Sequence, residues 1–220
     1  MKNFTIISYC LTIMIGITMT SLPLYSQESN CIETPIAQNQ RIAKILQIAQ
    51  LGNPVLREQA RPVDNLTSPN IKELIADLKT TVFDANGLGL AAPQVYQSYR
   101  IFIIACHPTP RYPNAPTVPP TIVINPEILS ASEEKLKDWE GCLSIPGIRA
   151  LVPRHKTITV KYTTEDGKTV QCEYTDILAR IFQHELDHLN GLVFLDRLDN
   201  LREIVTEKEY QRMIQNVGKK

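Results

Sequence analysis

His184-Glu185-Leu186-Asp187-His188 sets two imidazoles four residues apart with a carboxylate between them. On a helix, residues at that spacing share one face, so both rings can point a nitrogen at one ion while Glu185 stands beside it. Such a match can arise by accident on a solvated helix face. Here, however, the chain holds only four histidines and two of them fall in this turn. The flanks are also helical in pattern. Thr175 or Asp176 can serve as N-cap, Ile177 to Asn190 keeps the apolar period, and Gly191 is a natural residue to follow the C-terminus. Ile177, Ile181, His184 and His188 lie on one stripe, which continues the candidate metal face into apolar surface where an aliphatic side chain could dock.

An ion held by two histidines needs at least one more protein ligand and an open position for water. In one large group of metalloproteases the third ligand is a histidine three residues after a glycine. Gly191 is in place for that pattern, but Phe194 occupies the histidine position, which argues against that group. Glu203, Glu207 and Glu209 are available downstream, with no local feature favouring them. Upstream, Glu140-Gly141-Cys142-Leu143-Ser144-Ile145-Pro146-Gly147 holds a cysteine in a tight, extended turn. On position alone, Cys142 reads equally as a metal thiolate or as a buried structural thiol. A third segment, Gly87-Leu88-Gly89-Leu90-Ala91-Ala92-Pro93-Gln94, permits close backbone approach and supplies the Gln94 amide. It follows a helix and lacks a P-loop lysine, so phosphate binding is not expected.

The chain of 220 residues has room for one catalytic domain with a real core. Its 23 basic and 23 acidic residues give no global grip on nucleic acid, and direct DNA binding is not expected. Lys208, Arg212, Lys219 and Lys220 are the one local basic group, read as a solvated helix face and tail. Five scattered cysteines do not form a disulfide framework and fit a reducing compartment. Cys106 and Cys172 read as small buried hydrophobes. Residues 1–40 pull the other way. Phe4 to Ile17 is mostly apolar, broken by Thr5, Ser8 and Thr12, and Leu24-Tyr25-Ser26 offers a weak cleavage site. Residues 1–26 therefore read as an export signal, a short anchor or an over-extended start, with Met14 and Met19 as internal starts. The expected organisation is a leader and linker over 1–40 and a catalytic domain over 41–220.

Along that domain, Arg41 to Gln50 reads as an amphipathic linker, and Leu51-Gly52-Asn53-Pro54 as the turn where the fold begins. Ser68-Pro69 starts a helix running to about Asn86, with Ile71, Leu74, Ile75, Leu78 and Val82 on its core face. Arg100 to Ala105 and Thr121 to Asn125 read as strands around a proline-rich loop over 107–120. Lys156 to Thr163 and Thr169 to Tyr174 form a hairpin about Asp166-Gly167, and Asn200 to Met213 is a final polar helix.

Taken together, Gly87 to Gln94, Glu140 to Ser144 and Gln183 to Gly191 closely resemble the G-x-G-x-A-A-x-Q, E-G-C-L-S and Q-H-E-x-D-H-x-x-G motifs of the peptide deformylase family. The similarity covers roughly residues 45–200. It implies an α+β fold of antiparallel β-sheets packed around a central H-E-x-x-H helix, with an N-terminal and a C-terminal helix. It also implies that Cys142, His184 and His188 bind one divalent metal, Fe(II) by family habit, though the donor set also suits zinc or another divalent ion. The reaction is then hydrolysis of the formyl group of N-formylmethionyl nascent peptides. Glu185 is the general base, the Gln94 amide and the Leu143 N–H are the oxyanion donors, and the Gly89 backbone pairs with the substrate. Leu88, Ile177 and Ile181 are candidates for the methionine pocket, with core packing an equal account of each.

Glu140 and Arg154 form a candidate ion pair fixing the cysteine turn, while Asp187 reads either as a partner of the site or as a solvated carboxylate. His107 and His155 receive no role. Two rivals stand beside this reading, a peptidase of the H-E-x-x-H type and a non-enzymatic exported metal-binding relative. Since formylated chains emerge from ribosomes, a cytoplasmic location is favoured, with a transient ribosome contact through the C-terminal helix, and membrane contact or export only if the leader is retained.

Overall fold

The computed structural model describes residues 41–109 and 112–217; the expected leader, Cys10, Cys31, Lys219 and Lys220 lie outside them. The described elements are α1 (Pro69–Asp84), β1 (Gly89–Ala91), β2 (Ile101–Ile104), β3 (Thr121–Ala131), β4 (Lys135–Cys142), β5 (Ile145–His155), β6 (Thr157–Thr163), β7 (Thr169–Thr175), α2 (Asp176–Leu189), β8 (Ile204–Thr206) and α3 (Glu207–Val217). All strand pairs are antiparallel, in a five-stranded sheet of order β1-β2-β3-β6-β7 and a three-stranded sheet of order β4-β5-β8. The expected α+β class with antiparallel sheets is what the chain adopts.

Strand alternation explains how the first sheet carries a helix on each face. Along β2, Phe102 and Ile104 join a cluster with Ala179, Ile181, Phe182 and Leu189 of α2, whereas Ile101 and Ile103 join one with Ile71, Leu74, Leu78 and Val82 of α1. Successive side chains point to opposite faces, so four consecutive apolar residues serve two cores. Phe102 and Phe182 meet edge to face at 5.1 Å between ring centroids. The second sheet has its own cluster of Cys142, Ile145, Ala150, Val152, Val193 and Phe194, and α2 also touches β5.

Several boundaries depart from the sequence reading. Ser68 stands at the N-cap of α1 and Thr175 at that of α2, but neither side chain makes a capping bond, and α1 stops at Asp84. Gly191 follows α2 with φ +73° as expected. The segment read as a linker is bound to the domain: Arg41 makes a two-pronged pair with Asp77, and the Lys44 and Leu46 amides donate to Asp77 and Thr81. Backbone donors carry no side-chain signature, which is why periodicity misses them.

Strands β4 and β5 were also unseen. Most of β4 is exposed, and Pro146 and Pro153 argue against a strand. Yet Pro153 lies beyond Ile148–Ala150, where β8 pairs, so there β5 has a partner on one side alone. At the C-terminus, the β-branched run Ile204-Val205-Thr206 pairs as β8, and the helix expected from Asn200 begins only at Glu207.

Phe182 is fully buried between the first sheet and the rest of α2. Truncating such a ring typically costs about 3–5 kcal/mol. Phe182→Ala is expected to lose that much in urea denaturation, and a loss under about 1 kcal/mol would contradict this packing.

Candidate active site

Helix α2 enters from β7, and its buried side includes Ile181, Gln183, Glu185, Asp187 and His188. His184 and His188 sit one turn apart with ring centroids 5.1 Å apart. Facing them is the turn between β4 and β5, which carries Cys142. The Cys142 Sγ lies 3.2 Å from His188 Nε2, and one donor atom each of Cys142, His184 and His188 falls within 4.8 Å of the others. A thiolate and two imidazoles so gathered fit a four-coordinate ion with one position left open. The downstream glutamates are not among these gathered donors: Glu207, which lines the same pocket, pairs with Arg149, Glu203 with Lys137 and Glu209 with Arg212.

The tautomer of His184 follows from its other nitrogen, which lies 2.9 Å from Glu140 Oε2. A carboxylate there accepts a hydrogen bond from Nδ1–H, which leaves Nε2 as the nitrogen available for a ligand role. Burial alone would lower the His184 pKa, but the Cys142 and Glu140 groups beside it outweigh that and hold it well above its usual value. His188, buried and next to His184, is held well below. Glu140 is 4 % exposed yet charged. Burial would raise it, but Arg154 and His184 keep its carboxyl well below the usual range. Arg154 donates to both Glu140 oxygens, at 2.9 and 3.0 Å, as the expected pair requires.

Two further residues join this pair: Arg180, to which the sequence reading gives no role, and Asp187, which it leaves open between a partner of the site and a solvated carboxylate. Arg180, one turn before His184, donates to Glu140 Oε1 at 2.7 Å and to the Val152 and Leu136 carbonyls. Asp187 is buried, not solvated, and accepts from Arg154 and Arg197.

Glu185 is 4 % exposed, and its Oε2 has no hydrogen-bond partner. Burial pushes its carboxyl up to about 7, against the lowering effect of His184. A group poised there can both accept and return a proton near neutrality. Gly89 lies directly against it: a Cβ at that position would stand 2.8 Å from the Glu185 Cδ, so no larger residue fits without displacing the carboxylate. Gln94 is fixed by its oxygen, which accepts from the Ala91 N–H at 2.8 Å. Its amide nitrogen must then point the other way, and it reaches Ser144 Oγ at 3.2 Å and Cys142 Sγ at 3.5 Å.

One pocket is lined by Leu88, Gly89, Gln94, Cys142, Leu143, Ile177, Ile181, His184 and Glu185, while His188 sits behind it. Leu88 and Ile181 also belong to the core beneath, so each has a structural duty as well. Phe194, at the position where one large group of metalloproteases carries a histidine, stacks on the His184 ring with centroids 6.2 Å apart. Cys106 is fully buried, and His107 and His155 bond the Ala105 and Ser132 carbonyls.

A mixed α/β core that faces one thiol and two imidazoles toward a buried carboxylate has the make-up of a metal-dependent hydrolase. The family model described as polypeptide deformylase matches residues 45–203. A Nostoc sp. protein named peptide deformylase 2 is 56% identical over 124 residues, which are 56% of this chain and 69% of that protein. Peptide deformylase 1 of Nitrosomonas europaea is 40% identical over 123 residues, 56% of this chain and 70% of its own length. Among solved structures, the class I type b peptide deformylase of Acinetobacter baumannii with Met-Ala-Ser bound superposes with a TM-score of 0.69 at 42% identity, covering 71% of this chain and 99% of that one. The Synechococcus elongatus peptide deformylase in complex with actinonin gives 0.65 at 35% identity, covering 74% and 85%. The chain belongs to the polypeptide deformylase family.

Removing one partner of a buried ion pair typically costs about 3–5 kcal/mol. Glu140→Gln is expected to lose stability on that scale and to weaken divalent-ion binding about 10–100-fold through the loosened His184 ring. Chelator competition on the folded variant measures the second effect, and unchanged affinity would count against Glu140 as the residue that orients His184.

Proposed function

We propose the following assignment of roles within the reaction of this family, the hydrolytic removal of the formyl group from the N-terminus of newly made polypeptides. The observation that carries it is the convergence of the Cys142, His184 and His188 donors, with Cys142, His184 and Glu185, whose Oε2 has no hydrogen-bond partner, on the wall of one pocket. In this reading α2 is the central helix about which both sheets are arranged, within a catalytic domain over 41–220.

Cys142, His184 and His188 hold one divalent ion, Fe(II) by family habit, with zinc or another divalent ion as the alternative. When bound, such an ion supplies Lewis acidity that lowers the pKa of the attacking water and draws charge from the formyl oxygen. Glu185 takes the proton from that water as its oxygen adds to the formyl carbon. The former carbonyl oxygen then carries negative charge, toward which the Gln94 amide and the Leu143 N–H are directed. The carbon–nitrogen bond breaks as Glu185 returns the proton to the leaving amine, and formate and a free N-terminus result.

The Gly89 backbone pairs with the extended substrate, and Leu88, Ile177 and Ile181 receive the methionine side chain. No described helix is long and apolar enough to cross a membrane. Because the substrate is a nascent chain, the enzyme belongs in the cytoplasm. The exposed side of α3, with Met213 and Ile214 in view, offers the ribosome a transient contact. No observation among the described residues favours the peptidase, and the exported metal-binding relative is supported by the signal-like leader alone, against the intact Glu185 and Gln94.

The full chain, loaded anaerobically with Fe(II), is expected to release formate from formyl-Met-Ala-Ser. Cys142→Ala and Glu185→Ala should each abolish turnover. Gln94→Leu should fold and lose about 10²–10³-fold in kcat, the usual effect of removing one oxyanion donor. Near-normal kcat in Gln94→Leu would refute its role.

A further inference from the structure

The three motif segments come from separate parts of the fold: the loop through β1, the turn between β4 and β5, and α2. A fourth stretch of backbone touches all of them. Over 49–60 the Ala49 N–H donates to the Gln94 carbonyl at 2.7 Å, the Leu51 N–H to the Ser144 carbonyl at 2.8 Å, and the Ala60 N–H to the Leu189 carbonyl at 2.9 Å. The Gln50 side-chain amide adds a bond to the Leu143 carbonyl at 3.3 Å. At the end of α2, Gly191 passes so close to this stretch that a Cβ there would lie 2.6 Å from the Arg57 carbonyl oxygen. Ala49, Leu56 and Ala60 are buried, so the stretch is set into the body of the domain. Its N-terminal continuation is tied to α1, since the Lys44 and Leu46 amides donate to Asp77 and Thr81 at 2.7 and 2.9 Å.

We propose that the backbone from Ala49 to Ala60 is a brace that sets the separation of the two oxyanion donors from each other and from α2. Its residues are positioning residues, because none of them touches the reacting atoms. Three of the brace bonds land on a carbonyl at or beside a donor, Gln94 itself, Leu143 itself and Ser144 next to it, and the fourth, from Ala60, lands on Leu189 at the end of α2. Gln94 lies in the short helical turn just after β1 of the five-stranded sheet and Leu143 in the turn between β4 and β5 of the three-stranded one, and this chain segment makes backbone bonds to both turns. Slack in it would be felt where charge develops in the transition state, and less where the substrate peptide is bound. This inference rests on the deformylase reading.

The test compares full-length Leu51→Pro, which removes the N–H to Ser144, with Leu51→Ala, which keeps it. Leu51 is exposed, so losing its side chain should matter little. With formyl-Met-Ala-Ser, Leu51→Ala is expected to match the wild type. Leu51→Pro should lose about 10–100-fold in kcat, the scale of a misplacement near 1 Å, with KM and bound metal per chain unchanged. Equal kcat in the two variants overturns the proposal. So does a joint loss of kcat, substrate binding and metal, which marks general loosening. Should Leu51→Pro fail to fold, Gln50→Leu decides: a lower kcat at unchanged KM supports the brace and an unchanged kcat overturns it. Failure of the deformylase reading is seen separately, as a wild type without formate release, and failure of the donor role as a fully active Gln94→Leu.

Discussion

The carboxylate of Glu140 is the group around which the rest of the site is arranged. It is buried with a full negative charge, a state that needs several donors in good geometry to be tolerated at all. Two guanidiniums and one imidazole meet that need, from β5 (Arg154) and α2 (Arg180, His184). Satisfying one charge therefore fastens the second sheet to the helix and sets how far α2 is rotated about its axis. Arg154 extends the network to Asp187, where Arg197 joins it. The imidazole face toward the thiol is a by-product of that arrangement, since the ring has only two nitrogens and one is already committed.

The helix answers two environments at once. Its Ala179, Phe182 and Leu189 side packs the first sheet in a dry, apolar layer. The other side meets charges, and between the two lies Glu185, in a place apolar enough to raise its pKa yet open to the pocket. A carboxylate on the charged side would stay ionised at all ordinary pH, and one deeper in the apolar layer would never lose its proton. The border between the layers is where a proton can be exchanged near neutrality.

What the sequence discloses tracks how each element advertises itself. The α2 helix was legible because spacing, cap and terminal glycine agree, and α1 because its five core residues fall on one stripe. The hairpin of β6 and β7 carried both alternation and a turn signal. By contrast β4 is mostly exposed, and the prolines of β5 hide a strand that tolerates them where a partner is missing on one side. Cys142 was ambiguous on position alone, and it was the family resemblance that singled it out. Arg180 looks like an ordinary helix-surface charge and Asp187 reads equally as a solvated carboxylate or a partner of the site, since nothing local reveals that another sheet will cover them. The segment before Leu51 was read as a linker because its ties run through main-chain amides, which every residue but proline possesses.

Glu140 and Cys142 are two residues apart on β4, and both are buried while Gly141 between them is less so. They share one face of the strand, so the proposed ligand and the carboxylate beside His184 are presented by the same pleat. A slip of one residue in the pairing of β4 with β5 would turn both away together, leaving a surface glutamate, a surface thiol and two arginines without their shared carboxylate. The bulge recorded between the Glu140 and Cys142 pairings pins that register just where such a slip would begin. Along this strand the site is all or nothing, and a lineage that gained or lost one residue here would have no partly working intermediate through which to pass.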